Sequence, residues 1–329
     1  MIKEEVLRSF AGKNVLVTGG TGLIGRQVVN ILCDAGAKVK IVSLDKIKVN
    51  DKAEHVYGDL RSFEFCQYIT KNMDFVFHVA GMKGSVEVAK AKPASFFVPF
   101  LMMNTNVLEA CRVNKVQKVV YTSTIGAYAN AEIFKEDQDP NAPPMDMYPG
   151  WAKRMAEFQI QAYKIQYNLD NFSIVRPCNV YGPGDSFDPN SAMVIPALMY
   201  RIYHKEDPVL IWGDGSAIRD FAYSRDVAEG VILALYYGTK SWFVNLGSGK
   251  GYSIKELVET LNSFIDFNYK FDSTKSSGFP KRVMDISLAR KLIHYNPTTS
   301  LLDGLKQTWN WFVENQDEYL RKKNYFKED

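Results

Sequence analysis

The sequence predicts an α/β fold in which a doubly wound parallel sheet carries a smaller α/β lobe built from the C-terminal half, and three observations predict it. Short apolar segments rich in β-branched residues alternate with amphipathic helical segments over the first half of the chain. These segments are apolar throughout, so both faces of the sheet must be covered by helices. After Arg176, loops rich in Gly, Pro, Asp and Asn separate shorter elements.

Six strands are predicted in the first half. They are NVLVTG (14–19), KVKIVS (38–43), HVYGD (55–59), DFVFHVA (74–80), KVVYTS (118–123) and FSIVRP (172–177). Helical patterns lie between them, and two further helices are predicted from SIKELVETLNSFI and LLDGLKQTWNWFVENQ. The last of these places Leu301, Leu305, Trp309 and Phe312 on one stripe, which indicates a packing face.

A glycine-rich turn follows the first predicted strand. In VLVTGGTGLIGRQVV, Gly19, Gly22 and Gly25 recur every three residues and open the first long helix. A side chain at these positions would hold the backbone away from a pyrophosphate and the helix away from the strand, and the unpaired N–H groups of a helix N-terminus attract phosphate. The turn therefore predicts a Rossmann-type site for NAD or NADP.

The end of the second strand bears on the choice between NAD and NADP. A carboxylate there accepts hydrogen bonds from the ribose hydroxyl groups and repels a 2′-phosphate, whereas Ser, Lys or Arg favours the phosphate. Ser43 holds the strand end, Asp45 follows it and Lys46 is next in the chain, so the sequence leaves the choice open. Asp59 in the GDL segment is predicted to contact the adenine, the alternative being a solvated turn residue.

Composition argues against several classes of function. Forty basic and thirty-seven acidic residues give a net charge of +3 without a basic run, so neither nucleic acid nor a membrane is expected as a partner. Four widely spaced cysteines predict reduced core thiols and a cytoplasmic location. No signal peptide and no run of about 18 apolar residues is visible. The histidines are isolated, with a structural role predicted for His78, so no metal site is expected.

Several motifs together carry a family resemblance that extends from residue 16 to about residue 290. They are TGGTGLIG, GDL, VFHVAG, YTSTIGAY, RPCNVYGPGDSFDPNSAMVIPALM, IWGDGSAIRDFAY and NLGSGKGYSIKEL. By these motifs the chain resembles extended short-chain dehydrogenases/reductases of the nucleotide-sugar epimerase and dehydratase group, and within that group the GDP-fucose synthases most of all. The resemblance implies a nucleoside-diphosphate sugar as substrate and a homodimer formed through a four-helix bundle, for which segments 95–113 and 151–167 are candidates.

The chain is predicted to divide into an NAD(P)-binding domain and a lobe that mainly binds substrate. The first spans residues 1–175 and is completed by parts of 220–250, and the second spans residues 176–329. The predicted cofactor-binding residues are Gly19, Thr21, Gly22, Leu23, Ile24, Gly25, Ser43, Asp45, Asp59, Leu60, Val79, Ala80 and Lys153. The predicted substrate-binding residues are Lys83, Thr124, Asn179, Val194, Arg219, Lys281 and Arg282, with a solvated loop charge as the alternative for Lys281 and Arg282.

The resemblance implies catalytic roles for Thr124, Tyr148 and Lys153. The Thr124 hydroxyl lies beside the sugar C4 oxygen and can pass a hydrogen bond to a tyrosine while C4 exchanges hydride with nicotinamide. Lys153 hydrogen-bonds the nicotinamide ribose and lowers the pKa of that tyrosine. Asn179 and Arg219 match positions that hold the substrate diphosphate, and the planar guanidinium of arginine suits phosphate.

Two departures from the family pattern remove residues that the epimerisation and dehydration reactions of the family require. The fucose synthases invert C3 and C5 with a cysteine and a histidine, and the corresponding positions here are Gly126 and Met193. Neither residue carries a proton, so we predict no double epimerisation. The 4,6-dehydratases follow their hydroxyl residue with Asp-Glu, whereas Ile125 and Gly126 follow Thr124, so dehydration is not expected.

A third departure concerns the tyrosine. In MYPGWAKRMAE, five positions separate Tyr148 from Lys153, where the family has four. Proline restricts the residue before it, so Tyr148 is predicted to precede the helix and Pro149 to hold its first position. From there the phenol can point toward Thr124 as the acid/base or away from it, with Tyr128 as a substitute.

Three functions are consistent with these residues. The leading hypothesis is reduction of a 4-keto sugar nucleotide by NADH or NADPH, with a GDP-sugar favoured by the resemblance. The second is a C4 epimerase that retains its NAD, and the third is a dinucleotide-binding regulator that has lost its tyrosine.

Overall fold

The computed structural model describes residues 2–188, 191–240 and 242–321. The strands of this part of the chain are short. They are β1 (Asn14–Thr18), β2 (Lys38–Ser43), β3 (Glu54–Tyr57), β4 (Phe75–His78), β5 (Lys118–Thr122), β6 (Ile133–Phe134), β7 (Phe172–Pro177), β8 (Asn179–Tyr181), β9 (Val209–Trp212), β10 (Ile218–Arg219), β11 (Phe221–Tyr223), β12 (Phe243–Leu246), β13 (Tyr252–Ser253), β14 (Tyr269–Asp272) and β15 (Lys281–Met284).

The helices differ widely in length, and the two longest, α5 and α6, pack against each other. The helices are α1 (Glu4–Arg8), α2 (Leu23–Asp34), α3 (Phe63–Thr70), α4 (Val86–Ala91), α5 (Pro93–Val113), α6 (Met147–Tyr167), α7 (Val194–Tyr203), α8 (Ser224–Tyr237), α9 (Ile254–Asn262), α10 (Ser287–Ile293), α11 (Leu301–Glu314) and α12 (Gln316–Arg321). In the described part of the chain, none of them is both long and apolar enough to cross a bilayer.

A seven-stranded sheet forms the centre of the fold. Its strands are all parallel and lie in the order β12-β7-β5-β4-β1-β2-β3. The order reverses between β1 and β4, and in sheets of this kind a crevice opens beyond the carboxyl ends of the two strands at that point. The predicted Rossmann-type doubly wound sheet is confirmed.

Two clusters of buried side chains form the core. The larger cluster covers both faces of the seven-stranded sheet, and its members run from Val6 to Tyr295. The smaller cluster runs from Tyr181 to Phe312 and packs beneath two small sheets, β11-β8 and β14-β9, whereas Phe134 and Met284 of the four-stranded sheet β13-β10-β15-β6 belong to the larger cluster. In α11, Leu301, Leu305 and Phe312 are buried in this cluster and Trp309 packs against it, as the predicted stripe requires.

Four strands end earlier than predicted, β1 and β5 by one residue and β3 and β4 by two. β3 ends at Tyr57 because Asp59 already forms a turn, in which its carboxylate accepts a hydrogen bond from the Arg61 amide at 2.9 Å. β4 ends at His78, and the Ala80 amide donates instead to the Thr18 hydroxyl at 3.3 Å. The residues after β3 and β4 therefore belong to the crevice.

The predicted start of α6 is wrong. The helix begins at Met147, so Tyr148 is its second residue and Pro149 its third. The first amides of a helix have no partner within the helix, so a proline in the first turn removes no helical hydrogen bond. The Gly150 amide closes this turn on the Asp146 carbonyl at 2.6 Å.

Candidate active site

The glycine-rich turn joins β1 to α2 at the crevice. Gly19 has a positive φ of +69°, and a Cβ on it would lie 2.6 Å from the Ala80 Cα. A Cβ on Gly25 would overlap the Gly19 carbonyl oxygen. α2 begins after Gly22 without a side-chain cap, which leaves its first amides available to a ligand. The close backbone packing leaves no room for a side chain at Gly19 or Gly25, and the free amides at the start of α2 fit a dinucleotide pyrophosphate.

Polar side chains surround the end of β2. The Ser43 hydroxyl lies 2.7 Å from the Thr21 hydroxyl and accepts the Asp45 amide at 2.9 Å. The Thr21 hydroxyl also donates to the Asp45 carboxylate at 3.3 Å. The Asp45 carboxylate is therefore close to the glycine-rich turn, in the place where the ribose of the adenosine half would lie.

Asp59 lies at the neighbouring strand end and is paired with a residue that the sequence analysis missed. Its carboxylate accepts hydrogen bonds from Nε and Nη2 of Arg61, at 2.8 and 2.5 Å. Both residues line the cavity beside Leu60. The signal was present in the sequence, because an arginine two residues after a turn aspartate can reach back to that carboxylate.

One cavity of about 1220 Å³ connects these residues with the predicted catalytic residues. Thr124, Tyr148 and Lys153 line it, as do Val79 and Ala80 after β4. Sites for a single small molecule occupy roughly 300–1,000 Å³. The cavity is therefore large enough for a dinucleotide together with a second ligand.

Lys153 is a buried cation in the wall of this cavity. Its side chain is only 7% exposed, and Nζ donates to the Thr122 carbonyl at 2.8 Å. Nζ also lies 5.0 Å from the centre of the Phe100 ring. Burial lowers the pKa of Lys153 to about 8, because the charged form loses solvation. The ammonium can therefore release its proton close to neutral pH.

Thr124 lies two residues after the end of β5, with an extended backbone. Its hydroxyl oxygen accepts the Gly126 amide at 3.1 Å and so caps the short 3₁₀ turn of residues Ile125–Ala127. The hydroxyl proton is not used in that hydrogen bond. Thr124 can therefore still donate to a ligand in the cavity.

Tyr148 and Lys153 leave α6 in different directions. Because the helix already includes Tyr148, the five-residue spacing separates the two side chains by about 140° around the axis. Tyr148 is accordingly 47% exposed, and its ring packs edge-on against Phe97 with the ring centres 6.0 Å apart. Pro149 holds the position four residues before Lys153. Tyr148 nevertheless lines the same cavity as Thr124 and Lys153.

Tyr128 is not placed to substitute for Tyr148. Its side chain is buried, and its hydroxyl donates to Asn245 Oδ1 at 2.7 Å. The Arg176 guanidinium covers its ring at 4.2 Å from the ring centre. Burial raises the pKa of this phenol, which opposes ionisation. The suggestion that Tyr128 could serve as the acid/base is therefore wrong, and its role is structural.

A buried chain of hydrogen bonds supports Lys153 from behind. The Thr18 hydroxyl and His78 Nδ1 are 2.7 Å apart, and His78 Nε2 lies 3.0 Å from Asn104 Oδ1. The Asn104 amide donates to the Tyr121 hydroxyl at 3.1 Å, and that hydroxyl donates to the Lys153 carbonyl at 3.3 Å. Burial lowers the pKa of His78 to about 3, so the ring stays neutral. His78 has the predicted structural role.

Two arginines meet on neighbouring strands of the smaller lobe. Arg219 on β10 and Arg282 on β15 are register partners. Burial and the charge of Arg282 lower the pKa of Arg219 to about 10. Arg282 Nε is buried without a hydrogen-bond partner. Adjacent like charges are unfavourable, and a diphosphate would relieve the repulsion while satisfying the free N–H group.

The other predicted substrate residues are placed unevenly. Asn179 and Val194 line the cavity, and Asn179 Nδ2 donates to the Asp220 carbonyl at 3.0 Å. Lys83 also lines it, but its ammonium binds the buried Asp185 carboxylate at 2.7 Å. Lys281 is on β15 beside Arg282 and is not part of the cavity wall.

Asp146 is a second residue that the sequence analysis missed. It lies one residue before α6 and lines the cavity next to Tyr148. No local motif identifies it, because its position depends on how α6 packs on the turn after Thr124. Among the described residues, no group of three or more His, Cys, Asp or Glu side chains is arranged to hold a metal ion.

Known proteins resemble this chain over nearly its full length. The model of the NAD dependent epimerase/dehydratase family matches residues 15–247. A putative GDP-L-fucose synthase 2 of Arabidopsis thaliana is 30% identical over 315 residues, which cover 92% of either protein. A putative UDP-glucose 4-epimerase of Methanocaldococcus jannaschii is 31% identical over 313 residues, covering 92% of this chain and 99% of that protein. The solved UDP-glucose 4-epimerase of Thermotoga maritima, with UDP-glucose bound, has a TM-score of 0.80 at 28% identity and covers 92% of this chain and 99% of that one.

Proposed function

Because the chain belongs to the NAD dependent epimerase/dehydratase family, we propose that it transfers hydride between a nicotinamide cofactor and C4 of a nucleoside-diphosphate sugar. In its more specific form, the proposal is reduction of a 4-keto sugar nucleotide, with a GDP-sugar as the favoured substrate. One observation carries it. A single cavity contains the phosphate-binding turn at one end and Thr124, Tyr148 and Lys153 at the other, so a dinucleotide and a sugar can meet there.

Different residues of the chain would bind the cofactor and the substrate. NAD or NADP, when bound, supplies or accepts the hydride. The amides of the glycine-rich turn would bind its pyrophosphate, and Lys153 would bind the nicotinamide ribose. Thr124 donates a hydrogen bond to the C4 oxygen, which polarises the C4 carbonyl. Arg282 lines the cavity and would bind the substrate diphosphate, and its register partner Arg219, which is not part of the cavity wall, would have to reach the same group.

Tyr148 is the proposed proton donor to the C4 oxygen. Its phenol lines the cavity together with Thr124 and Lys153, and the C4 oxygen takes the phenol proton as C4 takes the hydride. Because Tyr148 is half exposed, it must turn inward when substrate fills the cavity. Apo sites often show such catalytic contacts lengthened, and they tighten when the ligand binds.

The reductase form is favoured over epimerisation at C3 and C5 by the side chains at two positions. Gly126 and Met193 correspond to the two proton-carrying residues of the fucose synthases, and neither can exchange a proton with carbon. Loss of deuterium from C3 or C5 of a 4-keto sugar during turnover would contradict this.

A C4 epimerase is the second candidate, and the 31% identity to a putative UDP-glucose 4-epimerase favours it. The same residues would serve both reactions. The two differ in stoichiometry, since a reductase consumes one nicotinamide per sugar, whereas an epimerase with retained NAD consumes none.

A panel of sugar nucleotides tests the proposal. Purified protein is incubated with UDP-, GDP-, CDP- and dTDP-sugars, including 4-keto forms, with and without NADH and NADPH. Turnover of a 4-keto sugar at a one-to-one ratio with reduced cofactor supports the reductase, and conversion without added cofactor supports the epimerase. Tight cofactor binding with no turnover of any sugar would leave only the dinucleotide-binding regulator.

We also propose a homodimer formed through α5 and α6. These helices expose large apolar side chains despite packing on each other, including Val98, Met102, Met155 and Ile165. Ile165 is 86% exposed. Light scattering tests this, and Ile165→Glu is expected to yield a monomer if these helices form the interface.

A further inference from the structure

The residue before α6 carries a side chain that its local structure does not use. Asp146 is in the N-cap position, where an aspartate ordinarily accepts a hydrogen bond from the amide of the second or third helical residue. The third residue is Pro149, which has no N–H group, and the Asp146 carboxylate makes no cap hydrogen bond. Proline removes one of the two amides that this carboxylate could cap, and the carboxylate is available for another partner.

The backbone around Asp146 is held firmly against the turn that follows Thr124. The Asp146 amide donates to the Gly126 carbonyl at 3.2 Å, and the Met145 amide donates to the Tyr128 carbonyl at 2.6 Å. These bonds fix where the Asp146 side chain leaves the chain. Its direction is thus set by tertiary structure.

Gly126 makes room for the Asp146 side chain. A Cβ at position 126 would overlap Asp146 Oδ2 and lie 2.8 Å from its Cγ. The carboxylate therefore occupies the space that a side chain at position 126 would fill. Asp146, Thr124 and Ile125 line the cavity together at this point.

The Asp146 side chain is half-buried. Burial raises the pKa of Asp146, and the Arg282 guanidinium is the charged group that opposes this rise. Arg282 also lines the cavity. A carboxylate held in a half-buried place without a cap partner is stabilised by any ligand that donates a hydrogen bond to it.

Resting on the proposed function, we propose that Asp146 contacts the sugar, and that its carboxylate accepts a hydrogen bond from a sugar hydroxyl group adjacent to the carbon that Thr124 faces. Asp146 is thereby a specificity-determining residue. A site built to bind a hydroxyl group rejects an analogue without it much more strongly than an apolar pocket rejects an added methylene group. The proline that shifts the tyrosine and the glycine at position 126 both serve this one contact.

Equilibrium binding to the full chain saturated with NAD tests the contact. Calorimetry compares UDP-glucose and GDP-fucose with UDP and GDP, which lack the sugar. Asp146→Asn and Asp146→Ala are expected to weaken binding of whichever sugar nucleotide the protein accepts by about 10- to 100-fold, the range for a hydrogen bond to a charged group. Both variants are expected to bind UDP and GDP as the wild type does.

Asp137→Asn is the matched control, since Asp137 is an exposed aspartate in the same connection between β6 and α6. It should change neither affinity. Affinity for the sugar nucleotide should also fall as the pH falls through the raised pKa of Asp146, because the protonated acid is a poorer acceptor. Asp146→Asn should remove this dependence, which a merely structural role would not affect.

The outcomes separate the two proposals. Wild-type turnover with unchanged sugar-nucleotide affinity in both Asp146 variants would overturn this inference and leave the proposed function standing. Loss of sugar-nucleotide affinity in the variants without any turnover by the wild type would support the contact and contradict the proposed reaction. Wild-type affinity that is equal for sugar nucleotides and free nucleoside diphosphates would overturn the contact.

Discussion

The two ends of the cavity are built in different ways. At the phosphate end, one continuous segment between β1 and α2 supplies backbone amides, and glycines keep side chains out. At the opposite end of the cavity, beside the N-terminus of α6 (the α6 end), side chains come from segments far apart in the chain. They include Thr124, Asp146, Lys153 and Arg282. The phosphate end therefore depends on the absence of side chains, whereas the α6 end depends on the identity of particular side chains.

This difference sets what each end tolerates. The phosphate end should fail when a Cβ is added at Gly19 or Gly25, whatever the chemistry of the side chain. The α6 end should keep its shape after conservative substitutions and lose only the function of the atom removed.

Gly19→Ala should abolish measurable dinucleotide binding, with affinity reduced at least about 100-fold, because the new Cβ would lie 2.6 Å from the Ala80 Cα. Gly12→Ala is the matched control. Gly12 has a nearly identical φ of +72° and nothing within 4 Å of a new Cβ, so the variant should lose only roughly 1 kcal/mol of stability from backbone strain. Fluorescence titration with NADH measures both, and equal binding by the two variants would contradict the role of the turn.

Lys153→Met should lower kcat/KM about 1000-fold, because it removes the cation that binds the nicotinamide ribose and acts on the phenol. Lys164→Met is the control on the same helix. Lys164 lies outside the cavity, where its ammonium donates to Asp170 at 2.9 Å. Steady-state kinetics on the sugar accepted in the panel compare the two variants, and similar losses in both would contradict a catalytic Lys153.

Tyr148→Phe should lower kcat about 100-fold with little change in substrate affinity, since it removes the hydroxyl proton and keeps the ring contact with Phe97. Tyr68→Phe, at an exposed tyrosine of α3, should have no effect. Full activity in Tyr148→Phe would show that another group at the α6 end donates the proton to the C4 oxygen.

The pH dependence should follow Lys153, whose pKa burial lowers to about 8. Activity that requires the ammonium should fall about tenfold per pH unit above this value. An unfolded lysine titrates at about 10.4, so the folded state binds fewer protons between about pH 8 and 10.4, and the free energy of unfolding should rise with pH across that window. Lys153→Met should lack that rise in stability, as denaturant titrations at several pH values would show.

The smallest effect is expected at the adenosine end. The Asp45 carboxylate beside Thr21 should favour NADH over NADPH by about tenfold, because it accepts the ribose hydroxyl groups and repels a 2′-phosphate. Asp45→Ser should bring the two affinities together. A wild-type preference for NADPH would contradict this role of Asp45.

The sequence predicted the phosphate end well because its signal is local. A strand, three glycines and a helix within about twelve residues leave few alternatives, and the structure keeps the order. The partners of Asp45 and Asp59 were harder to foresee, because they depend on side-chain rotamers at the ends of neighbouring strands. The choice between NAD and NADP is therefore still a prediction.

The α6 end of the cavity was predicted less well because it depends on long-range packing. The sequence placed Pro149 at the first helical position, but the hydrogen bonds from Met145 and Asp146 to the turn after Thr124 start the helix earlier. Asp146 was missed for the same reason. The Asp146 carboxylate caps no amide of α6, and it occupies the space that a side chain at position 126 would fill. A local sequence pattern shows neither feature, because both depend on contacts in the folded chain.

Deuterium transfer tests the central claim most directly. The protein is incubated with a nucleoside-diphosphate 4-keto-6-deoxy sugar and NADH or NADPH that carries deuterium at C4 of the nicotinamide ring, and the product is analysed by NMR. We predict one deuterium per molecule at C4 of the sugar, matched by oxidation of one cofactor. A sugar that remains unlabelled at C4, although the protein binds the cofactor and the sugar nucleotide, would contradict the account.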